Sequence, residues 1–222
     1  RTIPKIRCKD AHCPSWLQWL IKRFSDGELK TVEIYNVEET RRFIISNNHV
    51  LANESMEGEK PLVGDEILQP GPYDGGKLKD DVIAWLDEYE PLKERNNIMD
   101  VAFALPINDQ DVSPGIIEIG RINGVNRDIT SGKTVQKSGR TTGYKKGKII
   151  STDATIIVRY GKGPLHFKDQ IITECISAGG DSGSLVLDEN KNVVGLLFAG
   201  SDKTTIINPI GPIIDKFGID FC

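Results

Sequence analysis

Little in this sequence can carry a metal, a redox centre or a membrane span. Among 222 residues there are four cysteines, three histidines and two methionines. The cysteines (Cys8, Cys13, Cys175, Cys222) allow three disulfide pairings, and sequence alone does not choose among them. A chain of this length buries roughly 70% of its unfolded surface, so no covalent staple is required. Cys8, His12 and Cys13 lie close together, but a second ligand pair at zinc spacing is missing. Free thiols or one local disulfide is the expected state, with no metal and no cofactor. Uncharged apolar runs stay far short of the about 20 residues of a transmembrane helix. Charge is slightly acidic, 28 Lys and Arg against 32 Asp and Glu, which argues against nucleic acid as the main partner, and no membrane partner is expected. The first residue is Arg1 rather than Met, so a processed start is expected. A soluble protein follows, cytoplasmic or secreted, with its oligomeric state open.

What is present is punctuation. Glycine occurs 22 times and proline 11 times, between short apolar runs that recur along the chain and exclude disorder. Residues 14–24 (PSWLQWLIKRF) carry apolar side chains at helical spacing behind Pro14, which predicts a helix packed on the body of the protein. After Asp26-Gly27 the period changes to two. Strand-like runs cover 31–35, 42–46, 100–105, 133–137, 147–151, 155–160, 184–187 and 193–198, a pattern of sandwiches and barrels. Asn190-Lys191-Asn192 reads as a hairpin turn, and 212–217 ahead of Gly218 as a short closing helix.

Charge is unevenly spread. Residues 54–94 hold twelve Asp and Glu against four Lys, whereas 133–168 hold nine Lys and Arg against Asp153. This asymmetry reads as two solvated faces that attract one another, ahead of a steering field or an ion site.

The segment Ser177-Ala178-Gly179-Gly180-Asp181-Ser182-Gly183-Ser184 carries the chemistry. A serine between glycines on a sharp turn is exposed, and Gly180 frees the backbone so that its N–H converges with that of Ser182 on a substrate carbonyl. A serine hydroxyl needs a base, and His49, at a strand end within Ile44–Ala52, is the candidate. His166, in a Gly/Pro-bounded loop, reads as a surface residue. The base needs a carboxylate, and Asp100 opens the apolar run Val101–Leu105, where a carboxylate would be buried and paired. The chain order is His49, Asp100, Ser182.

The segments SNNHVLAN (46–53), DEILQPGPYDGG (65–76), MDVAFA (99–104), VQKSGRTTGYKKGKI (135–149), GGDSGSLV (179–186) and GLLFAGS (195–201) together resemble the chymotrypsin-fold, trypsin-like serine peptidases. The resemblance is to the bacterial branch and the bacterial domains related to the plant narrow-leaf protein. It implies an all-β fold of two six-stranded antiparallel β-barrels, to which the helical spacing adds an N-terminal helical extension (1–26) and a short C-terminal helix. The first barrel (27–112) would carry His49 and Asp100, and the second (113–222) Ser182.

It further implies a serine endopeptidase working through an acyl-enzyme, with Gly180 and Ser182 as oxyanion hole. Phe198, Ala199 and Gly200 would pair with an extended peptide substrate. The arginine of SGRTTG, here Arg140, would pair with Asp181, so no activation by N-terminal insertion is expected, and Arg140→Ala should cost activity more than folding. Departures are visible: GDSGS replaces GDSGG, the histidine lacks its neighbouring cysteine, and Phe198 stands where the family has a triad-supporting serine. The specificity pocket, walled by 175–179, 198–201 and 205–208, has no basal aspartate; a small or apolar side chain is expected there. The alternatives are a catalytically silent module binding extended peptides, and a protease limited to self-cleavage.

Overall fold

Alternating apolar residues generate two main sheets, beside a small antiparallel pair, β5 (Gly115–Ile116) with β6 (Gly120–Arg121). The structure, a computed structural model, describes residues 41–60 and 62–221. The helix expected over 14–24, the strand over 31–35, the Cys8–His12–Cys13 cluster and Cys222 lie outside the described residues. Arg42–Cys222 forms one compact unit.

The first sheet has the order β1 (Ile44–Ser46), β4 (Ala102–Pro106), β3 (Val82–Tyr89), β2 (Glu66–Leu68). Among the described residues it has four strands where six were expected of the first barrel. β4 is central, and Ala102, Phe103 and Ala104 on it are buried. β3 lies inside the acidic stretch, where charge masks its alternation. Ala84 and Leu86 are fully buried while Trp85 between them is 42% exposed.

The second sheet closes on itself. β8 (Thr134–Gly139), β9 (Gly143–Tyr160), β10 (Gly163–Glu174), β13 (Thr204–Pro209), β12 (Asn192–Gly200) and β11 (Leu185–Asp188) pair in that order, and β11 pairs back with β8. This is the expected ring of six strands, with β7 (Gly124–Val125) added in parallel on β12. The runs 147–151 and 155–160 are one strand, because β10 pairs along both through a series of bulges. The turn at Lys191, with φ +64°, separates β11 from β12.

The core that joins the sheets draws Met99, Val101 and Phe103 from around β4, Leu187, Val193 and Leu196 from β11 and β12, and Ile210 and Ile213 from the closing helix. That helix, Ile210–Phe217, starts two residues before the expected position. It ends at Gly218, whose φ of +62° allows its N–H to bond Ile214 O at 2.9 Å. Each fully buried aliphatic side chain here contributes about 1.5–3 kcal/mol. The acidic and basic stretches do meet: Arg140 pairs with Asp74 and Lys162 with Glu59, both at the surface.

Candidate active site

His49 sits where β1 ends in a single helical turn, Asn48–Leu51. The two asparagines ahead of it anchor that turn. Asn47 Nδ2 donates to Asp100 O at 2.8 Å, and Asn48 Nδ2 to Ser55 O and Glu90 O. His49 then meets Asp100 twice, N–H to Oδ1 at 3.2 Å and Nδ1 to Oδ2 at 2.6 Å. Asp100 is fully buried, and its backbone is tied to the second barrel by Asn208, whose Oδ1 accepts the Asp100 N–H at 3.1 Å. A carboxylate can only accept, so the proton belongs on Nδ1 and Nε2 is left as the basic nitrogen.

A third group touches this pair. Tyr160, the last residue of β9, donates its hydroxyl to Asp100 Oδ2 at 2.6 Å. Burial, the Asp100 charge and the hydrogen bond to it, and the nearby Glu54 charge together hold the Tyr160 hydroxyl well above the usual phenol range, so it remains a donor. Sequence reasoning passed over it; its only signal was its place at the end of a run whose alternate residues face inward.

Ser182 lies in the turn between β10 and β11, partly exposed. Two glycines shape that turn. Gly183 has φ +86°, and a side chain there would collide with Ser46 at the end of β1. The nucleophile turn is thereby seated against Ser46, three residues before His49 in the chain. Gly180 has φ +96°, and a side chain there would strike Thr141 and Arg140. Thr141 Oγ1 donates to Gly179 O at 2.8 Å. In a trans peptide this sends the Gly180 N–H to the opposite side. Among the described residues neither the Gly180 nor the Ser182 N–H has an acceptor. Ser184, where the family has glycine, closes the turn by donating to Asp181 O at 2.6 Å.

Asp181 is fully buried, but its partner is not Arg140. Lys137 Nζ, itself fully buried, lies 2.9 Å from Oδ2. Thr142 donates both hydroxyl and N–H, and Thr141 and Ala178 donate N–H. Burial opposes ionisation, yet the Thr142 hydroxyl, the Ala178 N–H, Lys137 and the Thr141 N–H outweigh it and hold the carboxyl well below the usual range. Arg140 is in the tight turn after β8, exposed, and bonds Asp74 instead. Lys137 is on β8 itself, opposite Val186 of β11, where its stem runs through the interior to the carboxylate. Gly139 makes room, since a side chain there would overlap both members of the pair.

His49 and Asp100 are thus brought together, and Gly180, Asp181 and Ser182 share one turn. Among the described residues no hydrogen bond links His49 to Ser182. Ser182 stands between two clefts. One, of about 330 Å³, is lined by Ser46, Ser138 and Arg140; the other, of about 380 Å³, by Ser177, Ala178, Ala199, Gly200 and Ser201. The second takes in Cys175, Ser177–Gly179 and Ala199–Ser201 of the expected specificity pocket but none of 205–208, and it adds Asp202; Cys175 at its wall is a free, exposed thiol. β11 pairs with β12 only as far as Leu196, so among the described residues Phe198–Gly200 has no strand partner on that side. The Phe198 side chain is buried in the core rather than turned into the cleft.

Sheet topology and this constellation give the molecule the chymotrypsin-type all-β fold of the bacterial serine proteases. Solved structures agree. The chain superposes on a glutamic acid specific serine protease with a TM-score of 0.57 at 20% identity, covering 82% of this chain and 87% of that one. For Thermobifida fusca Protease A the score is 0.53 at 21% identity, covering 79% and 82%. For a Nocardiopsis protease it is 0.53 at 19% identity, covering 78% and 81%. In sequence, 85 residues are 40% identical to serine protease 2 of Streptomyces fradiae, over 36% of this chain and 41% of that protein. No protein-family model matches the chain. No helix among the described residues is long and apolar enough to cross a membrane.

Proposed function

We propose that the chain is a serine endopeptidase. The observation that carries this reading is the 2.6 Å bond from His49 Nδ1 to buried Asp100, in a fold whose GDSG turn presents Ser182 beside two unclaimed N–H groups. Ser182 Oγ attacks the scissile carbonyl carbon while His49 Nε2 takes the hydroxyl proton, and the resulting oxyanion is held by the Gly180 and Ser182 N–H groups. Collapse expels the amine, which receives the proton from His49, and leaves an acyl-enzyme that water hydrolyses by the same steps. The imidazolium is stabilised by Asp100, which stays ionised. The link from His49 to Ser182 closes as substrate enters, as catalytic hydrogen bonds often do in empty sites.

A peptide strand added along Phe198–Gly200 would deliver its side chain to the cleft lined by Ser177, Ala178 and Gly200. Those walls suit a small side chain, and Asp202 adds a carboxylate to the lining. A fluorophosphonate should label the wild type and leave Ser182→Ala untouched. A wild type that resists the reagent would overturn the reading in favour of the silent peptide-binding module, which the missing His49–Ser182 hydrogen bond among the described residues favours. Intact masses of the two proteins would separate general proteolysis from self-cleavage.

A further inference from the structure

Asp100 lacks the support its framework leads one to expect, because Phe198 has no hydroxyl to offer it. The Phe198 ring is 3% exposed and packs on Phe167 with ring centroids 4.8 Å apart. Phe167 in turn stacks on Tyr160 at 6.0 Å and 24°. Tyr160 reaches Asp100 Oδ2 at 2.6 Å, and its ring stands edge-on to His49 at 5.8 Å and 74°. The hydroxyl lost from β12 is therefore supplied from β9, through an aromatic stack that the phenylalanine helps to build.

The accounting at Asp100 gives this bond its weight. Its two carboxylate oxygens accept three hydrogen bonds, two from His49 and one from Tyr160. Among the described residues Tyr160 is thus the one donor independent of the residue Asp100 has to orient. Without it, the carboxylate and the imidazole would hold only each other. The bond also draws charge from Oδ2, the oxygen that faces Nδ1, and so moderates how strongly Asp100 holds an imidazolium. The other charge near the hydroxyl is Glu54, whose oxygens accept the N–H groups of Gly161 and Lys162. Lys162 Nζ is engaged with Glu59.

We propose that Tyr160 is a positioning residue of the His49–Asp100 pair, fixing the carboxylate so that the imidazole presents Nε2 toward Ser182. The inference rests on the serine-peptidase reading for its consequence, but the geometry it invokes does not require catalysis.

Tyr160→Phe removes one oxygen and keeps the stack. The rate of fluorophosphonate labelling should fall about tenfold, with its acid limb moved to higher pH because the stripped carboxylate holds the imidazolium more tightly. The low-field proton resonance of His49 Nδ1 should exchange faster with water. Incorporating meta-fluorotyrosine at position 160, a stronger donor in the same frame, should move the acid limb the opposite way and guards against a variant that fails to fold. Unchanged rate, pH profile and imidazole resonance in both variants would overturn the proposal. A wild type that does not label removes the peptidase reading instead, and the imidazole resonance alone then decides the role of Tyr160.

Discussion

Asp100 and Asp181 are both sealed from solvent, and they are equipped in opposite ways. Asp181 accepts five hydrogen bonds, from Lys137, Thr141, Ala178 and twice from Thr142, so its charge is permanently matched by a buried ammonium. Asp100 has one neutral hydroxyl and the histidine. Among the described residues no fixed cation faces it, and its charge is answered only when His49 gains a proton. A saturated carboxylate serves as a structural post for a turn. A carboxylate left short of donors serves a base that cycles through a charged state.

Asp100→Asn bears on the second half of that contrast and carries the largest expected effect. Asparagine cannot stabilise an imidazolium and favours the wrong tautomer, so Ser182 labelling should fall about 10⁴-fold with the fold retained. A loss under about tenfold would mean that Asp100 is structural as well.

Lys137→Met bears on the first half. It strands a fully buried carboxylate, at a cost of about 3–5 kcal/mol in urea unfolding, and labelling should fall as the oxyanion turn loosens. Wild-type stability in that variant would show that the four neutral donors suffice.

The pH dependence of Asp181→Asn sharpens the point. A carboxyl held below its usual range stabilises the fold above its unfolded value, about 3.9, and that contribution fades as pH falls toward its lower native value. The stability gap between wild type and variant should therefore be constant above about pH 5 and narrow only below about pH 4. A gap that narrowed nearer neutrality would contradict the assigned partners.

Arg140→Ala should have the smallest effect. Its bridge to Asp74 is exposed and it does not reach the Asp181 carboxylate, so melting should be unchanged and labelling within about twofold. A large loss would restore the role that the SGRTTG resemblance implied.

That misassignment marks how far the residues could be read in a line. His49, Asp100 and Ser182 were legible because each sits in a local setting that its chemistry demands: a strand end, the mouth of an apolar run, a glycine-bounded turn. The closed second barrel and the final helix were legible from alternation and from Gly218. β3 was hidden because Asp87 and Glu88 share it with Ala84 and Leu86. Lys137 was hidden because a lysine among eight other basic residues reads as surface, while Tyr160 reads as one more aromatic in a strand.

Local stereochemistry is written along the chain. The positive φ at Gly180 and Gly183, the period-two burial of strands and the exposure of the nucleophile follow from neighbours a few positions apart. Partnership across the barrel is not written there. Which cation answers Asp181 depends on the pairing of β8 with β11, and which hydroxyl answers Asp100 depends on β9 running long enough to bring residue 160 back against the first sheet. Such pairs are fixed by distance after closure, and the same run of residues offers several donors of equal chemical merit until closure selects one.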